Sequence, residues 1–210
     1  MLLIEYLYAM NKKMIESVFL YEPRVLFCNA ATSCIEEHGF VATRITLEEV
    51  ITPISPDTLI ALGLPGAGDE TVSLLRAIHY LTTHEVTVVV WLSDFTGLLL
   101  PLIRCLGVSN IVNEKKLVEG LSAVIYGDDV TERQEQDPFK NGLHKKLSAV
   151  ELDVLIDFAR GLSASDIATR RHIAFKTVHN HKRNILKCLG FDKSSQWFGL
   201  LRLIGKLQSF

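Results

Sequence analysis

The stretch at residues 173–190, IAFKTVHNHKRNILKCLG, constrains this chain more than any other. At 100° per residue, its apolar positions share one face, at the spacing of a helix packed on a core. That face holds Val178, His181, Ile185, Cys188 and Leu189. The opposite face, the reading face, has no acidic residue and holds Lys176, His179, Asn180, Arg183 and Lys187, with Lys182 and Asn184 on its flanks. Cations suit phosphates, while an amide and a guanidinium pair with base edges, so the pattern favours a DNA-reading helix over a solvated basic face.

Two further helices are predicted directly before this one. Ser148 and Glu151 stand three residues apart, as the members of a capping box do, and open a helix that continues to about residue 160. A short second helix follows, capped by Ser163 or Ser165, and a turn at residues 171–174 leads into the third. This order is that of a helix-turn-helix with one supporting helix.

The run from residue 147 to residue 190 resembles the LuxR/FixJ-type helix-turn-helix. It follows that family's L-[ST]-x-x-E, G-x-[ST]-x-x-[DE]-I-A and K-T-V-x-x-H-x-x-N-I patterns. Two positions depart from the family: Ala174 stands in place of a capping Ser, and Cys188 in place of a Lys. The resemblance and the reading face together predict base contacts by His179, Asn180 and Arg183, and phosphate contacts by Lys176, Thr177, Lys182 and Lys187.

Charge divides the chain into two unlike halves. Residues 1–139 hold 9 Lys and Arg against 19 Asp and Glu, whereas residues 140–210 hold 13 against 5. A basic module joined to an acidic one is typical of a nucleic-acid binder with a regulatory half. The four cysteines are scattered without a C-x-x-C motif, which favours a reducing cytoplasm, and the apolar stretch at residues 1–10 is too short to span a bilayer.

The acidic half predicts an α/β domain. Short apolar strands are expected at residues 17–21, 40–45, 58–62, 87–92 and 110–112, with helices between them at 24–38, 47–51, 69–83, 97–106 and 115–126. Five such units predict a doubly wound, five-stranded parallel sheet. The predicted organisation is an N-terminal extension at 1–16, this domain at 17–127, a linker at 128–146 and an all-α DNA-binding domain at 147–210.

This layout ahead of a LuxR/FixJ-type unit resembles the receiver domain of response regulators. Three segments carry the likeness: VFLYEP at 18–23, PDTLIALGLPG at 56–66 and GVSNIVNE at 107–114. The family's phosphorylated Asp, its two adjacent acids and its Lys then fall on Ala61, on Tyr21 and Glu22, and on Glu114. Phosphoryl transfer needs a carboxylate nucleophile, a cation held by oxygens and a Lys that balances the developing charge. We therefore expect a pseudo-receiver without a phosphorylation switch.

The last predicted helix, from Ser194 to about Leu207, carries more apolar surface than a three-helix core requires. Trp197, Leu201 and Ile204 are expected to form a dimer contact, as this helix does in the LuxR/FixJ family. The alternative is that the linker or the N-terminal domain covers this surface within the same chain.

These features predict a bacterial, cytoplasmic, sequence-specific transcription regulator that binds double-stranded DNA as a dimer. No assembled catalytic site, metal site or cofactor site is expected, and RNA polymerase is a further partner that such regulators imply. The chain also resembles the Rcs-type auxiliary regulators of enteric bacteria, which pair with a phosphorylatable relative. Pairing of that kind, or an adaptor role through protein contact alone, are the alternatives to a self-paired regulator.

Overall fold

A parallel sheet of five strands forms the centre of the N-terminal part of the chain. The computed structural model describes residues 15–51, 55, 57–64, 69–93, 98–126 and 146–205. The strands are β1 (Ser17–Tyr21), β2 (Ala42–Arg44), β3 (Thr58–Gly63), β4 (Thr87–Leu92) and β5 (Asn110–Asn113), in the order β2-β1-β3-β4-β5. Every strand pair is parallel, so the predicted fold class is confirmed.

Helices cover both faces of this sheet, which explains why its strands read as continuous apolar runs. They are α1 (Val25–Glu37), α2 (Asp69–Thr83), α3 (Leu100–Cys105) and α4 (Leu117–Tyr126). Alternate residues of β3 enter separate cores. Leu59 and Ala61 pack with residues of α1 and α4, whereas Ile60 and Leu62 pack with residues of α2 and α3.

Four helices form the C-terminal part: α5 (Ala149–Ala159), α6 (Ala164–Arg171), α7 (Phe175–Leu189) and α8 (Ser194–Ile204). The predicted capping box of Ser148 and Glu151 is present at the start of α5. At the start of α6 the cap is Ser163, which forms a second capping box with Asp166. The helix order is therefore the one that the sequence predicts.

Several predicted elements are shorter in the structure. The second strand is confined to Ala42–Arg44, and the helix expected at 47–51 is a single 3-10 turn at Glu49–Ile51. A 3-10 turn at Glu114–Lys116 precedes α4, because the Asn113 side chain accepts a hydrogen bond from the Lys115 backbone N–H at 2.9 Å. Most of the predicted extension and linker lie outside the described residues, and the domain boundaries stay predictions.

The two parts pack against each other through a shared apolar core. Buried residues of α2 and α3 belong to the same cluster as those of α5, α7 and α8. Polar contacts frame this junction. The Leu147 N–H donates to the Cys105 carbonyl at 2.9 Å, and Arg76 forms an ion pair with Asp153 at 2.8 Å. His79 Nε2 also lies 3.1 Å from the Leu147 carbonyl oxygen.

Candidate nucleic-acid interface

Helix α7 separates its two faces as the sequence predicts. Val178, Ile185, Cys188 and Leu189 are buried, and His181 is half-buried. All five residues of the reading face, Lys176, His179, Asn180, Arg183 and Lys187, are exposed. The helix begins after Ala174, which offers no side-chain cap, and it ends at Gly190, whose positive φ of 65° is a left-handed conformation that glycine favours. The reading face is thus an accessible surface without an acidic side chain.

Two of the four residues predicted to contact phosphates are less exposed than the other two. Thr177 and Lys182 are half-buried. The Lys182 ammonium lies 5.5 Å from the ring centre of Phe158 and 5.3 Å from that of Trp197, on the side of α5 and α8. A cation over aromatic faces gains about 0.5–1 kcal/mol at exposed sites, so this position of Lys182 competes with a phosphate contact.

A buried carboxylate holds α7 from behind. Glu151 is 4% exposed, and its Oε2 accepts hydrogen bonds from the Ser148 N–H at 3.0 Å and the Ser148 hydroxyl at 2.9 Å. The Asn184 side-chain amide donates to Glu151 Oε1 at 3.1 Å. Asn184, which the sequence places beside the reading face, therefore joins the middle of α7 to the start of α5.

A second buried acid fixes the turn between α6 and α7. Asp157 is 1% exposed and accepts a hydrogen bond from Arg171 Nε at 2.5 Å. Two further ion pairs extend this network: Arg170 lies 3.6 Å from Asp157, and Arg171 lies 3.4 Å from Asp153. Burial lowers the pKa of Arg171, but the hydrogen bond and charge of Asp157 outweigh it and raise the pKa overall. The acids of α5 thus serve the internal structure and lie behind the reading face.

The receiver-like edge of the sheet contains one buried carboxylate. Glu22 follows β1, its side chain is fully buried, and its Oε2 accepts a hydrogen bond from Trp91 Nε1 at 2.7 Å. Arg24 donates to both carboxylate oxygens, from Nε at 2.9 Å and from the terminal nitrogen NH2 at 2.7 Å. A Cβ at Gly63 would overlap the Glu22 carboxylate, so this carboxylate occupies the end of β3.

Arg24 also reaches Glu114, which stands where the receiver family has its Lys. The terminal nitrogen NH1 of Arg24 lies 2.5 Å from Glu114 Oε2. The hydrogen bond to Glu22 raises the pKa of the Arg24 guanidinium above its usual value, against the opposing effect of burial, and Glu114 raises it further. One guanidinium therefore joins two carboxylates. Arg24 is not among the residues predicted from the sequence, although its place two residues after an acid at a strand end was a usable signal.

The remaining predicted residues of the phosphorylation site do not converge on this carboxylate. Ala61 lies within β3, opposite Leu20 of β1 and Val89 of β4, and is fully buried in an apolar core. The Tyr21 hydroxyl donates to the Glu70 carboxylate. In the part of the chain that the structure describes, no group of three or more His, Cys, Asp or Glu side chains is placed to hold a metal ion.

Comparison with known proteins identifies the C-terminal part. Residues 145–197 match the family model described as "Bacterial regulatory proteins, luxR family". The C-terminal domain is a LuxR-type DNA-binding domain. This part of the chain thus has the DNA-binding domain of a transcriptional regulator. None of the curated proteins compared with the chain matches it.

Solved structures of similar fold include RcsB from Salmonella enterica serovar Typhimurium bound to promoter rprA with a phosphomimetic. It is 16% identical, with a TM-score of 0.49, and the match covers 90% of this chain and 98% of that one. The same regulator bound to promoter P1flhDC is 19% identical, with a TM-score of 0.47 and coverage of 90% and 98%. The response regulator ChrA of a heme-sensing two-component system is 18% identical, with a TM-score of 0.37 and coverage of 91% and 98%.

The LuxR-type domain uses most of the apolar surface of α8 internally. Trp197, Leu201 and Ile204, the predicted dimer contact, are buried within the same chain. The Trp197 ring stacks edge-on against Phe158 of α5 at 5.6 Å, and α8 also packs against α2 of the N-terminal part. In this arrangement the three residues are not available to a second subunit, because the N-terminal part and α5 cover the surplus apolar arc. Phe198, by contrast, is 63% exposed.

None of the helices among the described residues combines the length and apolarity needed to cross a bilayer.

The Glu22–Arg24 pair predicts a specific stability difference between two arginine variants. Arg24→Met leaves the Glu22 carboxylate buried without its cation and should lower the free energy of unfolding by about 2–4 kcal/mol. Arg76→Met removes an exposed ion pair with Asp153 and should cost less than about 1 kcal/mol. Denaturant unfolding of both variants measures the difference, and equal losses would contradict the assigned role of Arg24.

Proposed function

We propose that this chain is a sequence-specific transcription regulator that acts as a dimer and without phosphorylation. The observation that carries the proposal is the reading face of α7, which combines cations, an amide and an imidazole on an exposed surface of a LuxR-type unit. As a bacterial DNA-binding regulator it would act in the cytoplasm, with RNA polymerase as a further partner.

In this proposal α7 lies in the major groove. His179, Asn180 and Arg183 contact base edges, because their side chains are exposed on consecutive turns of one face. Lys176 and Lys187 bind phosphates at the two ends of that face, and Thr177 and Lys182 support them from the sides. The Glu151–Asn184 hydrogen bond and the Asp157–Arg171 pair hold the helix at a fixed angle to α5.

Two substitutions on α7 separate sequence reading from general affinity. Arg183→Ala should weaken binding to a specific site by about 1–3 kcal/mol and relax its sequence preference. Lys187→Ala should weaken specific and random DNA alike and reduce the slope of log affinity against log salt by about one unit. Titrations at several salt concentrations measure both effects. An equal loss on specific and random DNA for Arg183→Ala would overturn its assignment to a base edge.

The absence of a phosphorylation switch is supported by two features. Ala61 has no oxygen to phosphorylate and is buried in an apolar core. The only acid retained from the family's pair, Glu22, already accepts hydrogen bonds on both oxygens, and Arg24 supplies a positive charge beside it. Because hydrogen bonds from Arg24 and Trp91 already occupy both of its oxygens, Glu22 has little tendency to recruit Mg²⁺.

This predicts no mass change on treatment with a phosphoryl donor. The intact protein, incubated with Mg²⁺ and acetyl phosphate, should show no added phosphoryl group by mass spectrometry. A phosphorylatable response regulator treated in parallel is the control. Ala61→Asp should not restore the reaction, because its carboxylate would be buried and Glu114 still stands in place of the Lys. A phosphoryl adduct on the N-terminal domain of the wild-type protein would contradict the proposal.

Dimer formation is proposed on the solvent side of α8. One reading helix contacts only about 3–4 base edges, and two half-sites about one helical turn apart give such modules useful specificity. Because Trp197, Leu201 and Ile204 are buried in this arrangement, we assign the contact to the face of Phe198, with Ser195 and Arg202 one turn away on either side. Trp197, Leu201 and Ile204 are buried behind this face and support it from within.

A charge at Phe198 tests the proposed contact. Phe198→Glu should weaken binding to a duplex with two half-sites by roughly tenfold or more, since a desolvated charge costs at least about 1.4 kcal/mol. Binding to a single half-site should be little changed. Val41→Glu, at an apolar residue that is 80% exposed in the N-terminal domain, is the matched control. Light scattering that finds one wild-type chain per two-half-site duplex would contradict dimer formation.

A mixed dimer with a phosphorylatable relative is the second candidate. The substitution of the family's phosphorylated Asp by Ala61 favours it, because a chain without its own switch can acquire one from a partner. Genome-wide footprinting with and without a candidate partner distinguishes the two modes. An adaptor that works by protein contact alone would leave the exposed reading face without a use.

A further inference from the structure

Two cysteines from different parts of the chain meet at the junction between the domains. Cys105 is the last residue of α3, and Cys188 lies near the end of the reading helix α7. They are 83 residues apart in sequence, yet the Cys105 thiol donates a hydrogen bond to the Cys188 carbonyl at 3.0 Å. Both residues are buried, and the Cys188 side chain is close enough to raise the pKa of the Cys105 thiol.

This pair lies where the LuxR-type domain begins. The Cys105 carbonyl accepts a hydrogen bond from the Leu147 N–H, just before the α5 capping box. Cys105 therefore contacts the C-terminal domain at both its start and its reading helix. A covalent bond at this position would join the two domains directly.

We propose that Cys105 and Cys188 are a redox modification site, which peroxide converts into a disulfide between the N-terminal domain and the reading helix. One thiolate attacks the peroxide, the O–O bond breaks, and the sulfur becomes a sulfenic acid while the other oxygen leaves as water. The second thiol then attacks this sulfur, the S–O bond breaks and a second water leaves. Two thiols and one hydrogen peroxide thus give one disulfide and two waters.

Opening of the domain junction controls the first step. The hydrogen bond with Cys188 and burial raise the pKa of the Cys105 thiol, so while the domains are packed it stays protonated and reacts slowly. The polar contacts around the junction are weak, since the side chains of Arg76 and Asp153 are 51% and 39% exposed. When the domains separate, a thiol reaches solvent, and their re-association brings the sulfenic acid back to its partner.

The disulfide would hold the two domains together covalently. It would hold the N-terminal domain on α7 and α8 in the described arrangement and oppose any arrangement in which the two domains separate. The reading face lies on the other side of α7 and stays exposed. Oxidation would therefore control domain separation rather than access to bases.

The test uses the full chain, reduced and then treated with hydrogen peroxide. After free thiols are alkylated, non-reducing peptide mapping should show a Cys105–Cys188 cross-link within single chains. Cys28 and Cys34 form an internal control, because six residues along α1 separate them by about 9 Å, beyond the roughly 7 Å limit for a disulfide. Cys28→Ser should keep the cross-link, and Cys188→Ala should lose it.

Denaturation provides the second readout. The oxidised wild-type protein should unfold at a higher denaturant concentration than the reduced protein, because the cross-link closes a long loop in the unfolded chain. Dithiothreitol should reverse the shift, and oxidised Cys188→Ala should show none. Recovery of Cys105 and Cys188 as free thiols or as separate sulfinic acids would overturn the proposal. A cross-link that forms only between chains would overturn it as well.

Discussion

The whole molecule depends on the burial of one side of helix α7. The five polar side chains of the reading face remain solvated in the folded protein, so they do not stabilise the position of α7. The burial of its apolar side must hold the helix in place. Val178, Ile185 and Leu189 provide this hold, and they pack into a core that continues into the N-terminal domain. The domain contact and the orientation of the reading face therefore share the same apolar residues.

The buried carboxylates among the described residues accept hydrogen bonds from other residues of the chain. Glu151 accepts from a serine and an asparagine, Asp157 from an arginine, and Glu22 from an arginine and a tryptophan. A buried carboxylate without such partners would be strongly destabilising. At the receiver-like edge, the guanidinium of Arg24 lies between the carboxylates of Glu22 and Glu114.

Much of the fold follows from local sequence patterns. The runs that form β1 and β4 are apolar and end at polar residues, and the capping boxes at Ser148 and Ser163 mark where α5 and α6 begin. These signals act over a few residues, so the sequence alone reveals them. The reading face of α7 is equally local, because a single helical wheel separates its cations from its apolar residues.

The contacts that the sequence did not reveal join distant segments. Arg24 meets Glu114 across 90 residues, and Cys105 meets Cys188 across 83. The sequence pattern of α8 predicts an apolar arc larger than its own domain requires. A sequence pattern gives the size of an apolar face but does not show whether the same chain or a second subunit covers it. Here α2 of the N-terminal domain lies against it.

The two halves of the sequence carry net charges of opposite sign. Residues 1–139 carry a net charge of −10 and residues 140–210 a net charge of +8. Near a polyanion such a body rotates, so that encounters begin with the basic end foremost. This orientation acts over the Debye length, about 8 Å at physiological salt, and so is felt before any contact forms. Because the polyanion repels the acidic domain, the basic domain is the part that approaches it first.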